Sequence, residues 1–197
     1  MLFRSGTYSD GKFSIFYIHR FEGADTDPEV QIEKIISICH AFNVQIIGAD
    51  YGGGFDRNYK LVTRFGANRV QKFQYAASAR RKMEWKKELS RWIILRTEIM
   101  SDLFNAIKRQ KLEFIRWEEF ESPYGSDMLS IYGEYNNTIR MTVYNHKPSS
   151  TDDSFHSVLY CFLAASLKHP RPDVFAPTAE DENGNPIIQW SSPSTQW

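Results

Sequence analysis

The 197-residue chain carries no excess of either charge, with 24 Lys+Arg against 24 Asp+Glu. Global charge therefore identifies no partner; only local clustering can. It has only two cysteines, Cys39 and Cys161, each inside an apolar run. With no C-x-x-C spacing, they read as reduced core thiols rather than a disulfide framework or a metal site. No apolar run approaches 18 residues, which excludes a membrane-spanning helix of ordinary length. The opening MLFRSG lacks the apolar stretch of a secretory leader. These features predict a soluble, cytoplasmic protein. Hydrophobic residues make up 42% of the chain and aromatics 15%, enough to build a core and to exclude wholesale disorder.

Strand and helix patterns alternate. The stretch KFSIFYIHR after the turn signal SDG predicts a strand over 12–20. Asp27-Pro28 predicts a helix start, with Asp27 as N-cap, and apolar spacing carries that helix to about Phe42. Residues 44–50 predict a buried strand ended by three glycines. The helix before it implies a right-handed crossover to a parallel neighbour. A short helix is expected over 55–65, strands over 69–76 and 92–96, and a helix over 97–110. A short extended segment follows over 112–117, then a helix interrupted by Pro123 and Gly125 over 120–135. The alternation TIRMTVYN predicts a strand over 138–145. An apolar helix follows over 150–167, capped by Ser150 or Thr151. Residues 1–168 thus read as one α/β domain. Residues 169–197 read as a flexible, Pro-rich, polar tail in which Trp190 and Trp197 are candidates for docking.

Charge is unevenly placed. Residues 56–116 hold 16 Lys+Arg and 6 Asp+Glu, a local net of +10 that the rest of the chain must balance. Arg80, Arg81, Lys82, Lys86, Lys87 and Arg91 are densest, with Arg69 and Lys72 just upstream. Phe73, Tyr75, Trp85 and Trp92 are interleaved with them. Such a segment fits a nucleic-acid backbone. It equally fits a solvated face balanced by acids elsewhere.

Two groups of carboxylates could hold metal. Asp50 ends an apolar strand, where open α/β sheets bind ligands, although a turn-initiating Asp has the same look. The glycines after it are not a phosphate-binding P-loop, because no Gly-Lys-Ser/Thr follows. Asp152 and Asp153 open the last helix, where acids also serve as caps and dipole complements. His156 can share a face with either, as an outer partner or simply as a structural histidine. Together these oxygens suit Mg²⁺ or Mn²⁺, and two such ions could stabilise both oxygens in phosphodiester cleavage.

The pieces IIGADYGGG (46–54), RWEEF with SDMLSIYGEY (116–135) and TDDSFHSVLYCFLA (151–164) resemble, in order and spacing, the C-terminal nuclease domain of the large terminase subunit of tailed bacteriophages. The resemblance covers about four-fifths of the chain. It implies a ribonuclease-H-like mixed sheet flanked by helices, related to the Holliday-junction resolvases. It also implies a Mg²⁺- or Mn²⁺-dependent two-metal endonuclease that cuts concatemeric viral DNA in the cytoplasm of the infected bacterium. Asp50, Asp152 and Asp153 match the family's metal-binding acids, and the basic stretch 69–96 would lie near the DNA. Expected partners are double-stranded DNA, an ATPase motor domain, the small terminase subunit and the portal protein. The family's Gly-x-Asp-x-Gly first strand is absent, and with it one metal ligand; Glu22 is a weak substitute. The resemblance places the start of this chain just after that strand. It therefore implies that the chain alone is nearly inactive, because each lost ligand removes charge and geometry. A catalytically dead DNA-binding or docking fragment, or a junction-resolvase-like nuclease, are the competing expectations.

Overall fold

A computed structural model describes residues 2–9, 11–52, 54–77, 81–138 and 140–168, and the backbone strands at 176–180 and 186–189. The chain is mixed α/β. It opens with a hairpin of β1 (Leu2–Ser9) and β2 (Lys12–Arg20), turning at Gly11, whose φ of +81° suits a residue without a Cβ. The short β7 (Leu112–Phe114) pairs parallel to β2, giving a sheet of order β1-β2-β7. A second sheet contains β3 (Ile47–Asp50), β4 (Val70–Ala76), β5 (Met83–Lys86) and β6 (Arg91–Leu95) in the order β3-β4-β6-β5. Its first three strands are parallel, and β5 runs antiparallel to β6. Two further hairpins pair β8 (Ile131–Asn136) with β9 (Met141–His146), and β10 (Ala176–Glu180) with β11 (Pro186–Gln189). No helix among the described residues is long and apolar enough to cross a membrane.

The helices are α1 (Pro28–Ala41), α2 (Phe55–Phe65), α3 (Arg96–Lys108), the single turns α4 (Trp117–Phe120) and α5 (Ser126–Leu129), and α6 (Asp153–Lys168). Asp27 caps α1 as expected, accepting from the Glu29 and Val30 amides at 2.9 and 3.2 Å. In α6 the first helical bond runs from His156 N–H to Asp152 O at 3.1 Å, so the N-cap position falls to Asp152, not to Ser150 or Thr151.

α6 is the central beam. Phe155, Val158, Leu159 and Leu163 are buried in the main core with Phe13, Phe73, Met100 and Leu103. A second core joins Ile32, Ile35 and Cys39 of α1 to Ile47, Leu61 and Val70. Both cysteines are free thiols, and burial pushes Cys161 up to about 12, as suits packed, inert sulfur. α6 packs against β1 on one flank and β3 on the other. At β3 the approach is very close. A Cβ at Gly48 would lie 2.2 Å from the Tyr160 carbonyl oxygen, so only glycine fits there.

Two further expectations need correction. The parallel neighbour of β3 is β4, reached through α2; β2 belongs to the other sheet. The helix expected over 120–135 ends at Leu129, and Ile131–Asn136 is a strand held by β9. The strand β5 was not anticipated. In the tail, Ala176–Glu180 and Pro186–Gln189 form a hairpin, while Trp190 and Trp197 lie outside the described residues.

Candidate functional site

β1 and β3 are edge strands of different sheets, and a cavity of about 1100 Å³ lies between them. Residues 3–8 line one wall, residues 46–50 the other, and α6 the floor. Asp50, Tyr75, Asp152, Asp153, His156 and Tyr160 all face this cavity.

Local geometry explains the convergence. Asp50 is two residues beyond Gly48, so the strand period turns it to the same side, toward α6. There its Oδ1 accepts from the Tyr160 hydroxyl at 3.3 Å. Its carbonyl accepts from Asn58 Nδ2 at 2.8 Å, which ties the strand end to α2. Asp152, His156 and Tyr160 follow at four-residue intervals and therefore share one stripe of α6. His156 Nε2 lies 3.0 Å from Asp152 Oδ2, and Nδ1 lies 2.6 Å from the Tyr75 hydroxyl. A ring nitrogen facing a carboxylate carries the proton, so Nε2–H donates to Asp152 and Nδ1 accepts from Tyr75. The Tyr160 hydroxyl also faces the Tyr75 oxygen, so its single proton is shared between Tyr75 and Asp50. Asp50 and Asp152 are thus the two ends of one chain of polar contacts: Asp50, Tyr160, Tyr75, His156, Asp152.

Burial sets the protonation states. It raises Tyr75 and Tyr160 well above the ordinary tyrosine range, so both remain hydrogen-bond donors. It lowers His156 below its ordinary value, against the opposing pull of Asp152, so the ring stays neutral. Arg96 lies 3.8 Å from Asp152 Oδ2 and over the Tyr75 ring at 5.7 Å. Asp153 is the exposed first residue of α6, at the cavity rim. Glu22 is an exposed ion-pair partner of Arg20 and does not line the cavity.

Carboxylate oxygens from two elements are the right kind of donor for a hard divalent cation. Among the described residues, however, no three His, Cys, Asp or Glu side chains stand together as a ready metal site. The residues present fit one weakly held ion in kind and fall short of a two-ion cluster.

The basic stretch fares differently. Lys82 is largely buried and bonds Asp102 with both oxygens, at 2.8 and 3.0 Å. Lys86 pairs with Glu84 at 2.6 Å. Arg69 donates to the Val44 carbonyl and lies over Phe65. Arg91 stacks on Tyr51, 3.8 Å from the ring centre. Lys72 is half-buried on β4, Arg81 and Lys87 are exposed, and Arg80 lies outside the described residues. The interleaved aromatics are not a stacking surface. Phe73 and Trp92 are core residues, Trp85 packs on Trp92, and Tyr75 serves the polar chain just described.

Sequence reasoning missed Tyr160, Arg96 and Asn58, and misassigned Tyr75. The stripe Asp152, His156, Tyr160 was available from spacing alone. Comparison of the chain with protein-family models, curated proteins and solved structures finds no match in any of the three.

Proposed function

We propose that this chain is a ribonuclease-H-like, metal-dependent DNA endonuclease module of the terminase type. The observation that supports this reading is that Asp50, at the carboxyl end of β3, and Asp152, at the start of α6, line one cavity and are linked through Tyr160, Tyr75 and His156. Asp50 and Asp152, with Asp153 at the rim, would hold Mg²⁺ or Mn²⁺. The cation would act as a Lewis acid on a phosphate oxygen and lower the pKa of its bound water. The protein's own share is positional. Tyr160 holds Asp50, and neutral His156, fixed by Tyr75, holds Asp152. On this reading the partners are double-stranded DNA, an ATPase motor domain, the small terminase subunit and the portal, in the cytoplasm of an infected bacterium.

A second reading is favoured by the lack of a three-ligand group among the described residues. On that reading the chain is a catalytically dead DNA-binding or docking module of the same fold.

Titration of Mg²⁺ and Mn²⁺ into the chain by calorimetry, alongside supercoiled plasmid, separates the two. The nuclease reading expects weak cation binding and slow nicking, both lost in Asp50→Asn. Neither binding nor nicking in the wild type would leave the docking reading.

A further inference from the structure

We propose that the face of the second sheet turned away from α6 binds single-stranded nucleic acid, with phosphates on a rank of three cations and bases on two exposed aromatics of α2. The partner's class rests on the function proposed above; the surface involves neither the cavity nor a metal.

Not every cation is open to a partner. Arg4 is 5% exposed and held by Ser154 and Ser157 of α6. Arg69 and Lys82 leave the basic stretch for Val44 and Asp102. Register lines up three of the others. Phe73, Met83, Trp92 and Ile94 are buried in the main core with α6. Strand alternation therefore turns Lys72, Glu84, Lys86 and Arg91 to the opposite face. Lys86 pairs with Arg91 across the β5–β6 ladder. Lys72 and Arg91 each directly precede the aligned pair Phe73–Trp92 of the parallel β4–β6 ladder. Lys72, Arg91 and Lys86 thus stand side by side on three adjacent strands, each half-buried and in part open to solvent.

Strands about 4.8 Å apart give this rank a span of roughly 10 Å. Like charges directly opposite one another on a sheet are destabilising. Glu84 is the one acid on these three strands, and it meets Lys86 at 2.6 Å. Arg91 is held in mid-rank by its stack on Tyr51. Three cations against one acid leave a net positive rank, which a polyanion relieves.

α2 sets the aromatics beside the rank. It packs on β4, where Leu61 shares the second core with Val70. Its Lys60 meets Glu29 of α1, and its Arg57 lines the cavity at the β3 edge. Phe55 and Tyr59 lie about 100–160° round the helix from both, on the flank toward β4 and β6. They are 71% and 67% exposed and, four residues apart, share one stripe. Tyr51, under Arg91, comes four residues before Phe55, so stripe and rank adjoin.

The chemistry selects the occupant. Two aromatic side chains bury roughly 300–500 Å², short of the ~800 Å² a stable protein interface needs from each partner. Lysine, two of the three cations, is depleted in such interfaces. Nucleobases need no continuous apolar area, because each stacks on one ring while cations track the backbone. In a duplex the base faces already cover one another, so the rings reach only unpaired bases.

The test is fluorescence anisotropy of a labelled 12-nucleotide oligothymidylate and a 12-base-pair duplex with the full chain, in EDTA to keep cleavage out. The wild type should prefer the single strand. Phe55→Ala with Tyr59→Ala should weaken the single strand about tenfold or more and the duplex less than twofold. Lys72→Gln with Lys86→Gln should flatten the slope of log K against log salt by about 1.4, or ~0.7 for each phosphate of a single strand. Lys108→Gln with Arg109→Gln, exposed at the end of α3, should leave that slope unchanged. Equal losses for both probes, or a slope unmoved by the sheet variant, overturn the proposal. Duplex binding that neither variant touches overturns this surface and leaves the DNA-handling function standing, whereas no binding of either probe overturns both. A dimer in sedimentation that the aromatic variant dissolves would give the flank to a second copy and also overturn it.

Discussion

The carboxylate site and the basic stretch behave in opposite ways. Asp50 and Asp152 are about a hundred residues apart in sequence, yet they end up on one chain of polar contacts. Residues 69–91 are dense in sequence, yet their cations disperse to Val44, Asp102, Glu84 and Tyr51. The difference lies in period. A strand sends neighbouring side chains to opposite faces, so a cluster on β4, β5 and β6 is split as it folds. A four-residue helical spacing does the reverse and gathers Asp152, His156 and Tyr160.

The largest expected effect tests whether β4 serves the core before any ligand. Phe73 is fully buried, so Phe73→Ala should lose about 3–5 kcal/mol in denaturant unfolding. A loss below 1 kcal/mol would return the strand's aromatics to a surface role. Next, Asp102→Ala removes the carboxylate that meets the largely buried Lys82 ammonium and should cost about 2–3 kcal/mol. Exposed Lys87→Ala should change stability by less than about 0.5 kcal/mol. Equal effects would erase the distinction between paired and free cations.

On the carboxylate side, Tyr160→Phe keeps the packing and removes the hydroxyl that meets Asp50 and Tyr75. The expected loss is about 1 kcal/mol by chemical unfolding. The smallest effect is a pH slope. Because burial lowers His156 in the fold, the unfolded chain binds its proton first as pH falls. Stability should therefore decline below about pH 6.5, and His156→Gln should flatten that decline in melting curves from pH 5 to 7.5. Identical slopes would place the imidazole in water.

Much of the fold was legible in the sequence wherever local signals were unopposed. Asp27-Pro28 marked α1, and the β-branched run marked β2. The region 120–135 was not. Phe120, Tyr124, Met128 and Ile131 fall at helical spacing, but Ile131–Asn136 is held by β9, a partner no local pattern reveals. At the site, the residue types were legible at Asp50, Asp152 and His156. Their connection was not, because Tyr75 read as one of the aromatics interleaved with the basic stretch and Tyr160 as one position of an apolar helix, until burial and hydrogen bonding gave their hydroxyls a task.

The grip of Arg4 on Ser154 and Ser157 spans 150 and 153 positions of chain. Such long-range closure is slow and comes late in folding. At synthesis rates of about 5–20 residues per second, α6 trails β1 off the ribosome by roughly 8–30 s. For that interval the first hairpin has no helix to lie on. Its apolar side, with Phe13 and Ile15, stands open to chaperones or to aggregation, so expression yield should depend on the last helix more than on any other element.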